Sequence, residues 1–449
     1  MGRLFGTDGV RGVANKELTP ELAFNLGKAG THVLKRDNHR PVVVIGKDTR
    51  ISGDMLESAL AAGILAVGGN VIKAGVIPTP AVAYLAKYYE ADAGIVISAS
   101  HNTFEYNGIK FFNGEGYKLD DDIEEEIEDI IISSIDVNSH ITGELIGRCL
   151  EASEDAARLY ADHLLSTADF RLDGMKIALD CANGASYSIA PKVYEALGAE
   201  VIVMGNEPNG VNINEGCGST HPEKLAELVR KTGAHVGLAF DGDADRLIVV
   251  DEKGNVIDGD RVIAICARML KEQGRLAENK ATVTVMSNIG FHKAMEESGI
   301  DVDVTGVGDR YVLEQMLKSG CVIGGEQSGH IIFREYTTTG DGILSSLQFM
   351  EAVLASGRKI SEMASEIQIF PQVLVNARVK NENKKKYSND PQIAAAIEEI
   401  EKKMEGNGRV LIRPSGTEPL VRVMIEGDDE VVLDQMARGL ADLIEEKFM

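Results

Sequence analysis

Three stretches of the chain repeat one pattern of apolar and polar positions. Each begins with an apolar, β-branched run, continues with a helix-like stretch, and ends with two glycines that bracket a second apolar run. The glycine pairs are Gly68 and Gly75, Gly198 and Gly205, and Gly299 and Gly306. A glycine that ends a helix, followed by a short β-branched strand, is typical of βαβ units. The repeat predicts three related α/β domains.

The last part of the chain has a different pattern. The stretch "FPQVLVNARVKNENKKKYSND" contains a proline and a lysine run, and it predicts a hinge near residue 370. A helix, two strands and a final helix follow, which indicates a small α+β domain. We therefore predict an α/β protein of four domains, with boundaries at 1–154, 155–255, 256–369 and 370–449.

The acidic run "LDDDIEEEIEDII" has isoleucines at helical spacing: Ile123, Ile127 and Ile130. This spacing predicts a helix that packs through its isoleucines and turns its carboxylates to solvent. A cation site in the run is the alternative.

Composition and charge narrow the class of protein. The 449 residues carry a formal net charge of −24, which argues against nucleic acid or an anionic membrane as the main partner. No apolar run reaches membrane-spanning length, and the N-terminus lacks the apolar region of a signal peptide. The five cysteines form no C-x-x-C pair, so we expect reduced thiols and a cytoplasmic protein.

A polar cluster follows the apolar run "GIVI": Ser98, Ser100, His101 and Asn102. A serine beside a histidine suggests a hydrolase nucleophile. However, adjacent residues of a strand point to opposite faces, so we expect His101 to be badly placed to deprotonate Ser100. The G-x-S-x-G elbow of α/β-hydrolases is also missing here.

The stretch "VGLAFDGDADR" places Asp241, Asp243 and Asp245 directly after an apolar run. Three alternating carboxylates can converge on one hard divalent cation. Two features argue against an EF-hand: Arg246 stands where its loop needs glycine, and the flanking stretches are strand-like, not helical. A solvated acidic turn is the alternative, but a neighbouring arginine suits a site that also binds phosphate.

The stretch "CVIGGEQSGH" again puts polar groups after an apolar run. Glu326 and Ser328 can accept and donate hydrogen bonds to sugar hydroxyls, with His330 two positions further on. A plain hairpin with a structural histidine is the alternative.

The stretch "LIRPSGTEPLVR" has the composition of an anion-binding loop. Hydroxyls, backbone N–H groups and guanidinium groups could come from Arg413, Ser415, Gly416, Thr417 and Arg422. Turn chemistry alone could also explain the Pro-Ser-Gly sequence. Arg11 in "FGTDGVRG" and Lys110 in "NGIKFF" are each, taken alone, ordinary surface cations.

Together these stretches resemble the α-D-phosphohexomutase family. The matching pieces, in the family's order, are "TDGVRG" at 7–12, "SASHN" at 98–102, "DGDADR" at 241–246, "GEQSGH" at 325–330 and "RPSGTEP" at 413–419. The resemblance implies a phosphohexomutase-like architecture in which three domains share an α/β core and a smaller C-terminal domain closes over the substrate.

The resemblance also implies a role for each motif. Ser100 would be the phosphoserine, and it would bind one Mg²⁺ per chain together with Asp241, Asp243 and Asp245. Glu326 and Ser328 would contact sugar hydroxyls. The non-reacting phosphate would be bound by Arg413, Ser415, Gly416, Thr417 and Arg422. The transferring group would be surrounded by Arg11, Lys110, Arg246 and His330.

Lys110 is the first candidate for general acid/base catalysis, provided that neighbouring arginines or burial lower its pKa. His330 is the second candidate.

Within the family, "MGRLFGTDGVRG", the phenylalanines of "NGIKFF" and the glutamine of "GEQSGH" resemble the bacterial branch that interconverts glucosamine 6-phosphate and glucosamine 1-phosphate. Thr103 stands where that branch usually has proline and Tyr106 where it usually has aspartate, and the stretch "EYNG" is more like the branches that act on mannose and glucose phosphates. The resemblance implies glucosamine 1,6-bisphosphate as intermediate and activator, and a homodimer is compatible with it. A non-catalytic phosphosugar sensor and a serine hydrolase are the alternative functions.

Overall fold

The computed structural model describes residues 4–6, 8–35, 39–137, 140–404, 406–415 and 418–449. The chain divides into two compact units. Unit 1 comprises Met1–Met286 and Ile300–Ser365, and unit 2 comprises Ser287–Gly299 and Glu366–Met449.

The first sheet of unit 1 lies in the N-terminal part of the chain. Its region contains β1 (Val10–Val13), α1 (Pro20–Leu34), β2 (Val42–Lys47), α2 (Gly53–Ala66), β3 (Asn70–Val76), α3 (Thr79–Tyr88), β4 (Ala93–Ile97), β5 (Tyr106–Asn113), α4 (Asp121–Ile132) and β6 (Cys149–Glu151). In the described residues the strand order is β1-β5-β4-β2-β3-β6, with β1 and β5 antiparallel to their neighbours.

The second sheet follows directly along the chain. Its region contains α5 (Ser153–Ser166), β7 (Lys176–Asp180), α6 (Ala190–Ala196), β8 (Glu200–Met204), α7 (Glu223–Thr232), β9 (Val236–Phe240), β10 (Leu247–Val250) and β11 (Val256–Ile257). The order is β11-β10-β9-β7-β8 across the part of the chain that is described.

The third sheet of unit 1 is smaller. The elements that follow β11 are α8 (Gly259–Glu272), β12 (Lys280–Thr284), α9 (Ile289–Glu297), β13 (Asp301–Thr305), α10 (Asp309–Ser319), β14 (Ile323–Gly325), β15 (Ile331–Phe333), α11 (Gly342–Ser356) and α12 (Ile360–Ser365). The described strands are ordered β13-β12-β14-β15. Helix α9 falls within unit 2.

The glycine-bracketed repeat forms three βαβ units, as the sequence predicts. Strands β2 and β3, β7 and β8, and β12 and β13 pair in parallel. The helix between each pair ends near a glycine in the left-handed region: Gly68 at φ +84°, Gly198 at φ +94° and Gly299 at φ +61°. This is the conformation that glycine adopts at helix C-termini at no steric cost.

Unit 2 contains the predicted α+β arrangement. Besides α9 it has β16 (Gln372–Arg378), α13 (Pro391–Lys403), β17 (Arg409–Pro414), β18 (Leu420–Glu426) and α14 (Glu430–Phe448). The described strands form an antiparallel sheet of order β16-β18-β17. Its core is apolar, with Val423, Ile425 and Ile444 completely buried. The predicted fold class, three related α/β domains and a smaller α+β domain, is confirmed.

The acidic helix α4 differs from its prediction in one respect. Ile127 is buried as expected, but the Glu128 carboxylate is also buried and is not solvated. Its Oε1 accepts hydrogen bonds from the backbone N–H groups of Leu4 and Phe5. The N-terminal segment covers this face of the helix, and the sequence period alone does not show such a contact.

Two smaller expectations concern the cysteines and the membrane. All five cysteines are free thiols, as expected. Within the described ranges, no helix has both the length and the apolar character required to cross a membrane.

Candidate functional site

Three motif-bearing loops of unit 1 begin where a buried strand ends. Strand β4 ends three residues before Ser100, β9 ends at Phe240 just before Asp241, and β14 ends at Gly325 just before Glu326. Each strand is apolar and buried along its length, whereas the residues that follow it are polar. A rigid strand therefore fixes the start of each loop.

Asp241, Asp243 and Asp245 form a buried carboxylate cluster, which we call the triad. One oxygen from each carboxylate lies within 4.8 Å of the others. Burial raises the pKa of Asp241 well above its usual value, and the nearby charges of Asp245 and Asp243 add to the effect. Asp243 Oδ1 and Asp245 Oδ1 are buried, and the described residues offer them no hydrogen-bond partner. Converging, unsatisfied carboxylate oxygens are the ligands that a hard divalent cation needs, so the triad fits Mg²⁺.

Ser100 lies directly beside the triad. Its Oγ donates a hydrogen bond to Asp241 Oδ2 at 2.6 Å, and the residue is almost completely buried. Its backbone adopts φ +52°, which is rare for a residue other than glycine. The sequence placed Ser100 and the aspartates in one site, and the contact between them lies 141 positions apart in the chain.

The expected position of His101 is wrong. Its Nδ1 lies 3.3 Å from Ser100 Oγ, within hydrogen-bond distance. The expectation assumed alternating strand geometry, but β4 ends at Ile97 and Ser100 has a left-handed backbone. Burial lowers the pKa of His101 to about 4, with Arg246 and Arg11 contributing in the same direction. His101 is therefore a neutral imidazole at neutral pH.

The predicted environment of Lys110 is also wrong. Burial alone would lower its pKa, but the carboxylates of Asp243 and Asp8 outweigh burial and raise the pKa above the ordinary lysine value. Its Nζ lies 3.0 Å from Asp243 Oδ2 and 3.1 Å from Asp8 Oδ2. Lys110 thus forms ion pairs with two carboxylates, whereas the prediction considered only arginines and burial as influences on its pKa.

Two arginines complete the positive charge around the triad. Arg11 forms an ion pair with Asp8 through its guanidinium. The Arg246 guanidinium lies beside the triad, with Nε 3.8 Å from Asp245 Oδ1. The Arg246 backbone N–H also donates to Asp241 Oδ1 at 3.1 Å, so the arginine is part of the loop that forms the triad.

The loop after β14 brings Glu326, Ser328 and His330 to the same region. Ser328 is exposed, and its Oγ lies 3.4 Å from Glu326 Oε2. His330 is buried between two carboxylates, with Nδ1 3.6 Å from Asp245 Oδ2 and Nε2 3.5 Å from Asp309 Oδ2. The backbone N–H of Gly340 donates to His330 Nε2 at 3.0 Å. Burial alone would lower the pKa of His330, but the carboxylates of Asp245 and Asp309 outweigh burial and raise it.

A cavity of about 370 Å³ joins these groups. The predicted residues on its wall are Arg11, Lys110, Asp245, Arg246, Glu326 and His330. Sequence reasoning missed Asp8, Lys118 and Asp309, which also line it. Lys118 Nζ binds Asp8 Oδ1 at 2.6 Å and forms an ion pair with Asp309. Asp8 lies inside the "TDGVRG" motif, but nothing in the sequence pattern singles out Lys118.

The acidic face of α4 also reaches this cavity. Asp121 and Glu124 line it, so these carboxylates do not all face bulk solvent as predicted. Burial raises the pKa of Glu124 to about 7, in spite of the neighbouring Arg310. The wall therefore combines arginines and lysines with several carboxylates.

The predicted phosphate residues of unit 2 lie at the ends of β17 and β18. Arg413 and Arg422 are opposite each other in the antiparallel pair. Ser415 is buried, its Oγ accepts from the Glu418 N–H at 3.1 Å, and its carbonyl accepts from Lys384 Nζ at 2.9 Å. Gly416 and Thr417 lie outside the described residues. Lys384 was missed because its lysine run indicated a hinge.

The comparisons with known proteins agree with this architecture. Models of the phosphoglucomutase/phosphomannomutase family match in four segments: domain I at residues 2–136, domain II at 158–254, domain III at 258–370 and the C-terminal domain at 374–443. The first three are described as alpha/beta/alpha domains.

Individual relatives cover the whole chain. A phosphoglucosamine mutase of Clostridium botulinum (strain Kyoto / Type A2) is 58% identical over 447 residues, covering 100% of each chain. A phosphoglucomutase/phosphomannomutase family protein of Burkholderia thailandensis has a TM-score of 0.82 at 24% identity, covering 99% of this chain and 98% of its own. An Aspergillus fumigatus N-acetylphosphoglucosamine mutase, solved with GlcNAc-6P and magnesium, has a TM-score of 0.72 at 16% identity, covering 99% and 96%. The chain therefore belongs to the phosphoglucomutase/phosphomannomutase family, which the sequence motifs indicated under the name of the α-D-phosphohexomutases.

Proposed function

We propose that the protein is an isomerase that interconverts glucosamine 6-phosphate and glucosamine 1-phosphate by phosphoryl transfer. The observation that carries the proposal is Ser100, whose Oγ lies 2.6 Å from a buried carboxylate triad beside a cavity lined with cations. The choice of glucosamine rests on the relative that is 58% identical along the whole chain and is named a phosphoglucosamine mutase. The 1-phosphates of glucose and mannose are the alternative substrates.

We propose that Asp241, Asp243, Asp245 and Ser100 hold one Mg²⁺. The support is the set of unsatisfied triad oxygens and the magnesium named with the Aspergillus structure. When bound, the cation neutralises charge on the oxygens of the transferring phosphoryl group.

The reaction would use Ser100 as the phosphoryl carrier. The P–O bond to Ser100 breaks while a P–O bond forms to a hydroxyl of the sugar, and the proton of that hydroxyl ends on the departing Ser100 Oγ. His330 is the candidate that relays this proton, because Asp243 and Asp8 keep Lys110 protonated. The product, glucosamine 1,6-bisphosphate, reorients and returns its other phosphoryl group to Ser100. Arg11 and Lys110 bring positive charge to the developing anion.

Each unit carries residues that we assign to substrate binding. In unit 1, Glu326 and Ser328 offer acceptors and donors for sugar hydroxyls, and Arg246 is a charged partner for phosphate. In unit 2, the non-reacting phosphate would be bound by Arg413, Ser415, Gly416, Thr417 and Arg422. A hinge near residue 370 would allow the same groups to serve both orientations of the bisphosphate.

The remaining expectations belong to the same proposal. The four domains of this proposal have their boundaries at 1–154, 155–255, 256–369 and 370–449. The enzyme would work in the cytoplasm and bind neither nucleic acid nor membrane, and a homodimer is compatible with this function.

A serine substitution tests the chemistry. In Ser100→Ala, turnover of glucosamine 1-phosphate should fall by several orders of magnitude, while binding of the sugar phosphate persists, because only the carrier oxygen is lost. Coupled assay and calorimetry measure the two effects, and Ser153→Ala, at an exposed serine of α5, is the matched control. Full turnover in Ser100→Ala would overturn the proposal.

A second comparison separates the sugars and the alternative functions. The kcat/KM for glucosamine 1-phosphate should exceed the values for the glucose and mannose 1-phosphates. A larger value for mannose would replace the assigned substrate. Release of free phosphate as fast as isomerisation would identify a hydrolase, and binding without turnover by the wild type would identify a sensor.

A further inference from the structure

The turn that carries Ser100 is held in a costly backbone conformation. Ser100 has φ +52°, a region that a residue with a Cβ normally avoids at a cost of about 1–3 kcal/mol. Such a conformation persists only when the surrounding groups fix it.

Two side chains bind the same two carbonyl groups of this turn. Arg50 Nη2 donates to the Ser100 carbonyl at 3.1 Å and to the Asn102 carbonyl at 2.6 Å. Asn214 Nδ2 donates to the same two oxygens, at 2.9 Å each. Arg50 follows β2 and Asn214 lies between β8 and α7, so the turn is held from two sheets.

A second arm fixes the amide side of the turn. The Ser100 N–H donates to Ser98 Oγ at 3.0 Å, and Ser98 Oγ donates to Asp48 Oδ2 at 2.5 Å. Asp48 is also the ion-pair partner of Arg50, and both side chains are completely buried. Both Arg50 Nη atoms are therefore bound by protein groups, and the buried side chain is inaccessible to a substrate.

The aspartate loop packs against the same atoms. A Cβ at Gly242 would lie 2.6 Å from the Ser100 carbonyl oxygen and 2.8 Å from Asn214 Nδ2. Only glycine fits this contact, and Gly242 is flanked by Asp241 and Asp243. The Ser100 carbonyl and Asn214 Nδ2 therefore pack directly against the loop that forms the triad.

We propose that Arg50 and Asn214, with Asp48 and Ser98, are positioning residues that hold Ser100 Oγ in register with the triad for phosphoryl transfer. They act on the carrier serine and contact neither the sugar nor its phosphates. We call these four side chains the clamp. The expected kinetic effect rests on the proposed function, whereas the clamp itself rests on the contacts alone.

The test uses the full-length protein with Asn214→Gly and Asn214→Asp. Asn214 has φ +59°, so glycine removes the side chain without backbone strain, and aspartate keeps the shape but turns a carboxylate oxygen toward two carbonyl oxygens. Both variants should lower kcat on the order of 100-fold, as expected for a displaced reacting group, and leave KM nearly unchanged. Arg50→Lys, which keeps the charge but loses the forked geometry, should fall between them and the wild type.

Asn279→Gly is the matched control, because Asn279 is also left-handed, at φ +50°, and lies before β12, away from the turn. Its kcat should equal the wild-type value. An unchanged kcat in both Asn214 variants, or equal losses in Asn214→Gly and Asn279→Gly, would overturn the inference.

Hydrogen exchange tests the clamp independently of catalytic activity. Amides in residues 98–104 should exchange faster in Asn214→Gly than in the wild type and the control, while α5 and β10 keep their protection. If the wild type lacks mutase activity, the proposed function fails, and the exchange result alone decides the clamp. Unchanged exchange at 98–104 would overturn it.

Discussion

The triad concentrates negative charge that the fold must neutralise. Three carboxylates meet within 4.8 Å, and Lys110 and Arg246 are their nearest cations. Lys110 Nζ and Thr79 Oγ1 satisfy Asp243 Oδ2, at 3.0 and 2.7 Å, but Asp243 Oδ1 has no hydrogen-bond partner in the described residues. A bound cation would therefore relieve both a charge and an unsatisfied acceptor.

We expect Mg²⁺ to stabilise the protein through Asp243. A site at 100 times its dissociation constant adds about 2.7 kcal/mol of stability, which raises Tm. In Asp243→Asn, loss of one ligand charge should weaken binding at least about tenfold, so roughly 1.4 kcal/mol of that gain disappears at the same Mg²⁺ concentration.

Calorimetric Tm against MgCl₂ concentration measures the difference. Asp155→Asn, at an exposed carboxylate paired with Arg158, is the control and should keep the wild-type response. A wild-type Mg²⁺ response in Asp243→Asn would remove Asp243 from the proposed ligands.

Residue identity was easier to predict than residue environment. Ser100, the triad and Arg246 could be selected because polar groups follow apolar strands in characteristic order. The position of His101 could not, because it depends on the left-handed backbone of Ser100. The raised pKa of Lys110 could not either, because Asp8 lies 102 positions away in the sequence.

At the scale of single elements, helix α11 begins at a buried carboxylate. Asp341 is its N-cap: Oδ1 accepts from the Leu344 N–H at 2.9 Å, and Oδ2 accepts from the Tyr160 hydroxyl at 2.8 Å. Burial nevertheless raises the pKa of Asp341 to about 6, so this carboxyl takes up its proton at a higher pH in the folded state than in the unfolded chain.

This cap makes stability depend on pH. The folded pKa is about 6 and the unfolded pKa is near 3.8, so the native state binds more protons than the unfolded state between these values. Stability from this group therefore falls as pH rises from about 4 to 6, by about 3 kcal/mol in total. Asp341→Asn keeps an acceptor for the Leu344 N–H and cannot ionise. Its stability relative to the wild type should therefore rise across this window.

Urea unfolding at several pH values between 4 and 7 tests this. Asp390→Asn is a control of opposite sign, because the hydrogen bond from Lys447 lowers the pKa of the Asp390 cap of α13. That substitution should cost stability by a nearly constant amount from pH 7 down to about 4.5, and the cost should shrink only at lower pH, where the carboxyl of the unfolded chain takes up its proton. A constant offset between Asp341→Asn and the wild type would contradict the assignment.

Element prediction succeeded where one period dominates. The βαβ units followed from glycine spacing and β-branched runs, and the two helices predicted in the last domain are α13 and α14. Helix α4 was located correctly, but its carboxylates were not, because the N-terminal backbone and the cavity contact its polar face. Periodicity shows which face of a helix is apolar. It does not predict which other parts of the protein pack against the polar face.

At the scale of the whole molecule, unit 2 contains a segment that is distant in sequence. Ser287–Gly299, which includes α9, clusters with Glu366–Met449. The sequence repeat assigns this segment to the third α/β region, since β12 and β13 flank it. Long-range packing cannot be read from such a repeat, so this grouping was not predicted.

Glu426 connects the separated segments within unit 2. It is completely buried at the end of β18 and accepts hydrogen bonds from the Ile289 N–H at 2.9 Å and Gln372 Nε2 at 3.0 Å. It also accepts from Arg409 Nε at 2.7 Å, and Arg409 in turn donates to the Ser287 carbonyl. One carboxylate therefore binds α9, β16 and β17.

Glu426→Ala should destabilise unit 2 by about 3 kcal/mol, because it leaves an arginine and a partly buried N–H group without their carboxylate acceptor. Hydrogen exchange should become faster in 287–299 and 366–449. In 236–250, which carries the triad, the rate should stay at the wild-type value, and the Mg²⁺ response of Tm should persist. Glu430→Ala, at an exposed glutamate in the first turn of α14, is the control. Equally faster exchange in both units would show that the two unfold as one cooperative body. Faster exchange in 366–449 with unchanged exchange in 287–299 would show that Glu426 does not join that segment to the sheet.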